Sequence, residues 1–127
     1  MKFLLYRSVA TPTFRDESLD ALVAQAQAFN TSRDISGLLV YADRRFFQWI
    51  EGEDRDVDLL FSRIRTDSRH QYIDVLMMRP SIQRHFGSWG MMSHLVEPEQ
   101  TSTFLRLGHN ELVQRFIQYG RGHLKER

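Results

Sequence analysis

Three polar side chains stand in apolar surroundings: Tyr6 in KFLLYRS, Asn30 at the end of ALVAQAQAFN, and Gln48 in FFQWIEG. Gln48 poses the sharpest question, because two phenylalanines, a tryptophan and an isoleucine flank it in what reads as a buried strand. A primary amide brings two N–H donors and a carbonyl acceptor, and leaving them unbonded costs on the order of 1–3 kcal/mol. Each residue has an ordinary explanation when taken singly. A tyrosine is common in a strand, asparagine often ends a helix, and a buried glutamine can bond backbone. Taken together they offer different chemistry. A phenol is oxidisable and donates an O–H, while an amide exchanges donor for acceptor by turning over. Converging among apolar walls, a phenol and two amides would suit a flat heterocycle with amide-like edges.

Other chemistries find little to work with. The five histidines (His70, His85, His94, His109, His123) show no HxH or HxxxH spacing, and cysteine is absent, so no metal site is expected and thiol catalysis and disulfides are excluded. The acidic run EGEDRDVD does not follow calcium-loop spacing and reads as negative charge at a helix N-terminus. GxGxxG, GxxxxGK[ST] and GxSxG do not occur. Arg63, Arg65, Arg69, Arg79 and Arg84 make either a solvated face or contacts to a ligand phosphate. A small hydrolase of the acylphosphatase type, using Tyr6-Arg7-Ser8 or Arg69–His70, is the alternative from another class, but it lacks a phosphate-cradling loop.

The elements that must position these residues follow from periodicity. Lys2–Ser8 alternates as a strand, with Leu4, Tyr6 and Ser8 on one face and Phe3, Leu5 and Arg7 on the other. Leu19, Leu22, Val23, Ala26 and Phe29 recur at helical spacing up to Asn30. ISGLLVYA and RFFQWIEG form a hairpin through ADRR, with Phe46 and Ile50 sharing the face of Gln48 and Phe47 and Trp49 opposite. A second helix starts at Asp54 with a stripe of Val57, Leu60, Phe61 and Ile64, ending near Asp67. Tyr72–Met78 is a fourth strand stopped by Pro80, and WGMMSHL a fifth. Two short helical patterns follow around Phe104–Leu107 and Leu112–Ile117, to pack behind the sheet or form a contact surface, before a frayed GRGHLKER tail.

The order β-α-β-β-α-β-β predicts an α+β, ferredoxin-like sandwich with a mixed five-stranded sheet and a C-terminal helical extension. With 127 residues the chain makes one real core. Net charge of +1 gives no field that would draw nucleic acid or an anionic membrane. With no spanning run and no secretory h-region, a cytoplasmic location is expected.

LLYRS, the asparagine ending the first helix, ISGLLVY, FFQWIEG, IRTDSRH and FGSWGMM together resemble the BLUF family, blue-light sensors that use FAD. The segments run in the family's order over roughly the first 95 residues, implying a photosensor domain at 1–95 and a helical extension at 96–127. The resemblance implies no enzymatic turnover. It implies that FAD, with FMN or riboflavin as possible substitutes, lies between the two helices with its polar edge on Asn30 and Gln48. Tyr6 would then give the excited flavin an electron and a proton, and Gln48 would rearrange by rotation, tautomerisation or both. Trp89 and Met91, taken to share one face of the fifth strand, match the family's tryptophan and methionine, one of which is expected near Gln48. Arg63, Asp67, Arg69 and His70 match polar ligand contacts, Ser8 and Ile35 would line the pocket, and Asp34 stands where a glycine is expected. Output would pass to a separate protein partner or through self-association into a homo-oligomer.

Overall fold

The computed structural model describes the backbone of residues 1–126 and the side chains of residues 1–122. Five strands, β1 (Lys2–Ala10), β2 (Ser36–Ala42), β3 (Arg45–Gly52), β4 (His70–Pro80) and β5 (Met92–Leu95), form one sheet in the order β4-β1-β3-β2-β5. The first four are antiparallel neighbours, and β5 joins parallel to β2, which makes the sheet mixed. Helix α1 (Leu19–Ser32) connects β1 to β2, and α2 (Asp54–Arg65) connects β3 to β4. This is the expected ferredoxin-like frame with one strand added.

Alternation along the strands sorts the side chains into two cores. On the front, Leu4, Tyr6, Phe46 and Ile50 pack under the α1 stripe (Leu22, Val23, Ala26, Phe29) and the α2 stripe (Val57, Leu60, Phe61, Ile64), as the periodicity predicts. On the back, Phe3, Leu5, Phe47 and Trp49 meet α3 (Thr101–Leu105) and α4 (His109–Glu126) through Phe104, Leu112 and Phe116. The tail helices thus cover the rear of the sheet. The β2–β3 hairpin turns on Asp43 and Arg44, both left-handed at φ 47° and 65°, the twist a two-residue hairpin needs. Arg44 is held there by its guanidinium, which donates to Thr11 O at 2.8 Å.

Three expectations need correction. Trp89 and Met91 do not share a face of β5: the strand begins only at Met92, Met91 belongs to the front core, and Trp89 packs with the back one. The acidic run does not act as a unit at the helix terminus. Asp54 and Asp56 do occupy the first turn of α2, but Glu51 is fully buried on the face of Trp49. The GRGHLKER segment, expected to be frayed, continues α4 as helix as far as Glu126; the side chains beyond Gly122 and all of Arg127 lie outside the described residues.

Candidate functional site

The register of β1 against β3 sets Tyr6 directly opposite Gln48. Both point to the front, and the Tyr6 hydroxyl donates to Gln48 Oε1. With the carbonyl end taken, the other end of the amide donates from Nε2 to Met91 Sδ at 3.7 Å. Gln48 is therefore bonded at both ends, by groups that differ in kind: a phenol that can donate or accept, and a thioether that only accepts weakly. Burial pushes the Tyr6 phenol far above the ordinary tyrosine value of 10.0, and the Asp67 carboxylate adds to the rise. Tyr6 is thus held as a protonated donor.

Asn30 lies in the last turn of α1 and is fully buried. Its Nδ2 donates to Gly90 O at 2.8 Å, but its Oδ1 has no hydrogen-bond partner among the described residues. A buried acceptor without a donor costs free energy unless a ligand supplies one. This atom belongs to a residue that lines a cavity of about 370 Å³ between α1, α2 and the front of the sheet. The volume falls within the range of small-molecule sites.

Seven of the residues singled out from the sequence line that cavity: Tyr6, Asn30, Gln48, Arg63, Asp67, Arg69 and His70. Its floor and walls are apolar, from Leu39 and Phe46 of the sheet to Phe29 of α1. Arg63 stacks over the Phe29 ring at 4.1 Å, so it presents charge at the mouth while its plane covers an aromatic wall. Arg69 pairs with Asp67, its Nε donating to Oδ1 at 2.9 Å, and it also donates to Gln25 Oε1 on α1 at 2.9 Å. That pairing holds the Asp67 carboxyl below the usual carboxylate range. His70 bridges Ile64 O at 2.6 Å and Ser8 Oγ at 2.7 Å. Since a carbonyl only accepts, Nε2 carries the proton to Ile64, and Nδ1 accepts from Ser8 when the ring is neutral and donates to it when the ring is charged.

Ser8 and Ile35 are buried but do not line the cavity; Ser8 acts one step back, through His70. Met91 reaches the site through Gln48, whereas Trp89 is directed to the other side of the sheet. Asp34 has φ 54°, the conformation that favours glycine, and Arg84 ties it down by donating to its backbone O at 2.7 Å.

Residues 1–92 match the family described as sensors of blue-light using FAD, BLUF. The chain belongs to the BLUF family. A BLUF domain is a flavin-binding sensor of blue light, and the acylphosphatase-type alternative finds no support in these matches. The photoactivated adenylate cyclase subunit alpha of Euglena gracilis is 37% identical over 98 residues, covering 75% of this chain and 10% of that protein. The chain therefore spans about a tenth of the length of that relative, and the cyclase activity in its name is a property of that protein. Among solved structures, the photo-activated state of BlsA superposes with a TM-score of 0.75 at 33% identity, over 87% of this chain and 81% of that one. The dark state of BlrB, a BLUF protein, superposes with a TM-score of 0.83 over 95% and 96% of the two chains; at 24% identity it speaks to the fold alone. Among the described residues no helix is long and apolar enough to cross a membrane.

Sequence reasoning missed two contributors to this BLUF site. Gln27 on α1 donates to Met91 O at 2.8 Å, and Gly90 presses so close to α1 that a Cβ would lie 2.5 Å from Thr31 Oγ1. Gln27 reads as an ordinary exposed helix residue. The glycine in SWGMM was the available signal, since a glycine ahead of a buried strand often marks close backbone approach.

Proposed function

We propose that residues 1–95 form a photosensor that holds FAD in the front cavity, with Tyr6 and Gln48 as the photochemical pair and residues 96–127 as a helical extension. The contact of the Tyr6 hydroxyl with Gln48 on the cavity wall carries this reading. The residues present fit a flavin. Asn30 Oδ1 is a buried acceptor in want of an N–H, the walls are apolar enough for a flat ring, and Arg63 and Arg69 stand at the mouth for phosphate. Asp67, His70 and, behind it, Ser8 order that mouth. FMN or riboflavin can substitute, because the ring and its immediate chain are what the buried part of the cavity would hold.

When bound, the flavin supplies blue-light absorption and an acceptor for one electron and one proton. Tyr6 would be the residue placed to supply both and to take both back, with no net redox change. Its donor bond to Gln48 orders that transfer, because the phenolic proton already points at the amide. Gln48 leaves the cycle in a different arrangement: with the amide turned, or in its tautomer, the end facing Tyr6 donates rather than accepts. With the amide turned, Met91 loses the Nε2 donor, and the change reaches the segment before β5. The output is a bistable hydrogen-bond pattern read by a separate protein partner, or by a second copy of this chain. The cysteine-free composition suits a cytoplasmic location.

An absorbance spectrum before and after blue light tests the proposal. Purified protein should be yellow, and its long-wavelength band should shift reversibly to the red; protein that takes up no flavin, or whose band does not move, contradicts it.

A further inference from the structure

Between β4 and β5 the chain runs from Ser81 to Met91 without helix or strand, and beyond Ser81, whose N–H donates to Met1 O at 3.0 Å, its backbone donors must find partners outside the sheet ladders. Yet this segment touches the site at one end and the tail at the other. Gly90 O accepts from Asn30, Met91 Sδ accepts from Gln48, and Met91 O accepts from Gln27. At the other end Phe86 is fully buried against Trp49 and α4, so closely that a Cβ on Gly120 would lie 2.8 Å from its ring. An irregular segment in this position needs an anchor.

Glu51 provides it. The carboxylate is fully buried and accepts the N–H of His85 on both oxygens at 3.0 Å and that of Phe86 on Oε2 at 3.0 Å. Trp49 Nε1 donates to Oε1 at 3.0 Å and Ser36 Oγ to Oε2 at 2.7 Å. Arg84 donates to Ser36 Oγ at 2.9 Å, bringing a positive charge to within one hydroxyl of the buried negative one. Both oxygens act only as acceptors, and two backbone amides of a segment without secondary structure depend on them.

We infer that Glu51 is a positioning residue for the light response, whose grip on His85 and Phe86 keeps Met91 and Gly90 in place beside Gln48 and Asn30. The inference rests on the flavin reading above. It bears on the return half of the cycle. A segment held in place presents the Met91 sulfur to the returning Gln48 amide, whereas a loosened segment has to find that position again. Weakening the anchor therefore slows dark recovery. It leaves the light-induced shift itself, because the bond between Tyr6 and Gln48 does not involve Glu51.

Glu51→Gln is the direct test. Either orientation of the new amide turns its NH₂ toward at least one backbone N–H that the carboxylate now accepts. Two quantities are read: dark recovery of the flavin band, and hydrogen exchange of the His85 and Phe86 amides in the dark. The shift should persist, recovery should slow by roughly fivefold, the rate equivalent of about one hydrogen bond, and at least one of the two amides should exchange faster. Glu111→Gln, at the start of α4, should change neither. If Glu51→Gln does not fold, Ser36→Ala decides. It removes only the hydroxyl link between Arg84 and Oε2, and it should slow recovery by about twofold, a fraction of a hydrogen bond. Recovery at the wild-type rate in a folded Glu51→Gln, or in Ser36→Ala where that variant decides, overturns the role of Glu51. Wild-type protein without any light-induced shift would instead fail the flavin reading beneath it.

Discussion

The two faces of the sheet are built from the same strands and treat buried polar groups in opposite ways. On the back, Glu51 carries a full charge's worth of acceptors into a dry aromatic core, and the protein supplies every donor itself. On the front, Asn30 Oδ1 is just as deeply buried and receives none. Buried polar groups are bonded in folded proteins, so the first pattern is completed by the chain, and on the proposed reading the second is completed by the flavin. The packing differs in the same sense. The tail helices fill the back with Phe104, Leu112 and Phe116, whereas α1 and α2 stand off from the sheet far enough to leave a cavity.

If that contrast is right, emptying the back core should chiefly cost stability, and removing the unbonded front acceptor should chiefly cost flavin binding. The largest effect is expected for Phe116→Ala. This ring is fully buried beside Trp49, and its loss should lower unfolding free energy by about 3–5 kcal/mol in a urea titration. A folded remnant of that variant should still bind flavin.

Alkali should find Tyr6 next. Its folded-state value is raised above the ordinary 10.0, so the neutral phenol is favoured by folding. The resulting contribution is fully present below pH 10 and is lost as pH rises through the higher folded value, at about 1.4 kcal/mol per pH unit. Tyr6→Phe should make that part of the stability curve less steep, leaving the slope between pH 10 and about 12 to Tyr41, whose phenol is pushed up to about 12 by burial and by Asp16.

Asn30→Leu should weaken flavin binding by about tenfold or more, since it removes a buried acceptor left unbonded by the described residues along with the link to Gly90. Equilibrium titration of the apoprotein with FAD measures it. The smallest effect belongs to the partly exposed pair at the mouth. Asp67→Asn should change stability by no more than about 1 kcal/mol. The Asp67 carboxyl is held low by Arg69, so its contribution is present above its ordinary value of 3.8 and is lost only as pH falls through the lower folded value. Acid unfolding curves of the two proteins should therefore converge at low pH.

The contrast between faces also explains what could be read from the sequence. Period-two alternation in KFLLYRS and FFQWIEG places Tyr6 and Gln48 together on one face, and the helical stripes of α1 and α2 identify what covers them. Glu51 was illegible for a physical reason. Its neighbours Glu53 and Asp54 are exposed, and nothing local distinguishes a carboxylate whose donors come from Ser36 and from His85 and Phe86, far along the chain. The placement of Trp89 and Met91 failed because SWGMM continues the alternation of β5 in sequence, whereas the ladder starts only at Met92, and ahead of it Trp89 packs with the back core and Met91 with the front one. Ser8 and Ile35 alternate correctly and are buried, but burial on the right face does not amount to lining the cavity.

The central claim is that the Gln48 amide, between the Tyr6 hydroxyl and the Met91 sulfur, is what light rearranges. Leucine has similar bulk and nothing to turn over. The light-minus-dark difference spectrum of Gln48→Leu, compared with wild type at equal flavin loading, tests the claim most directly. The variant should bind flavin and stay yellow, yet give no red-shifted difference band. A Gln48→Leu protein that shifts and recovers like the wild type would show that the switch lies elsewhere.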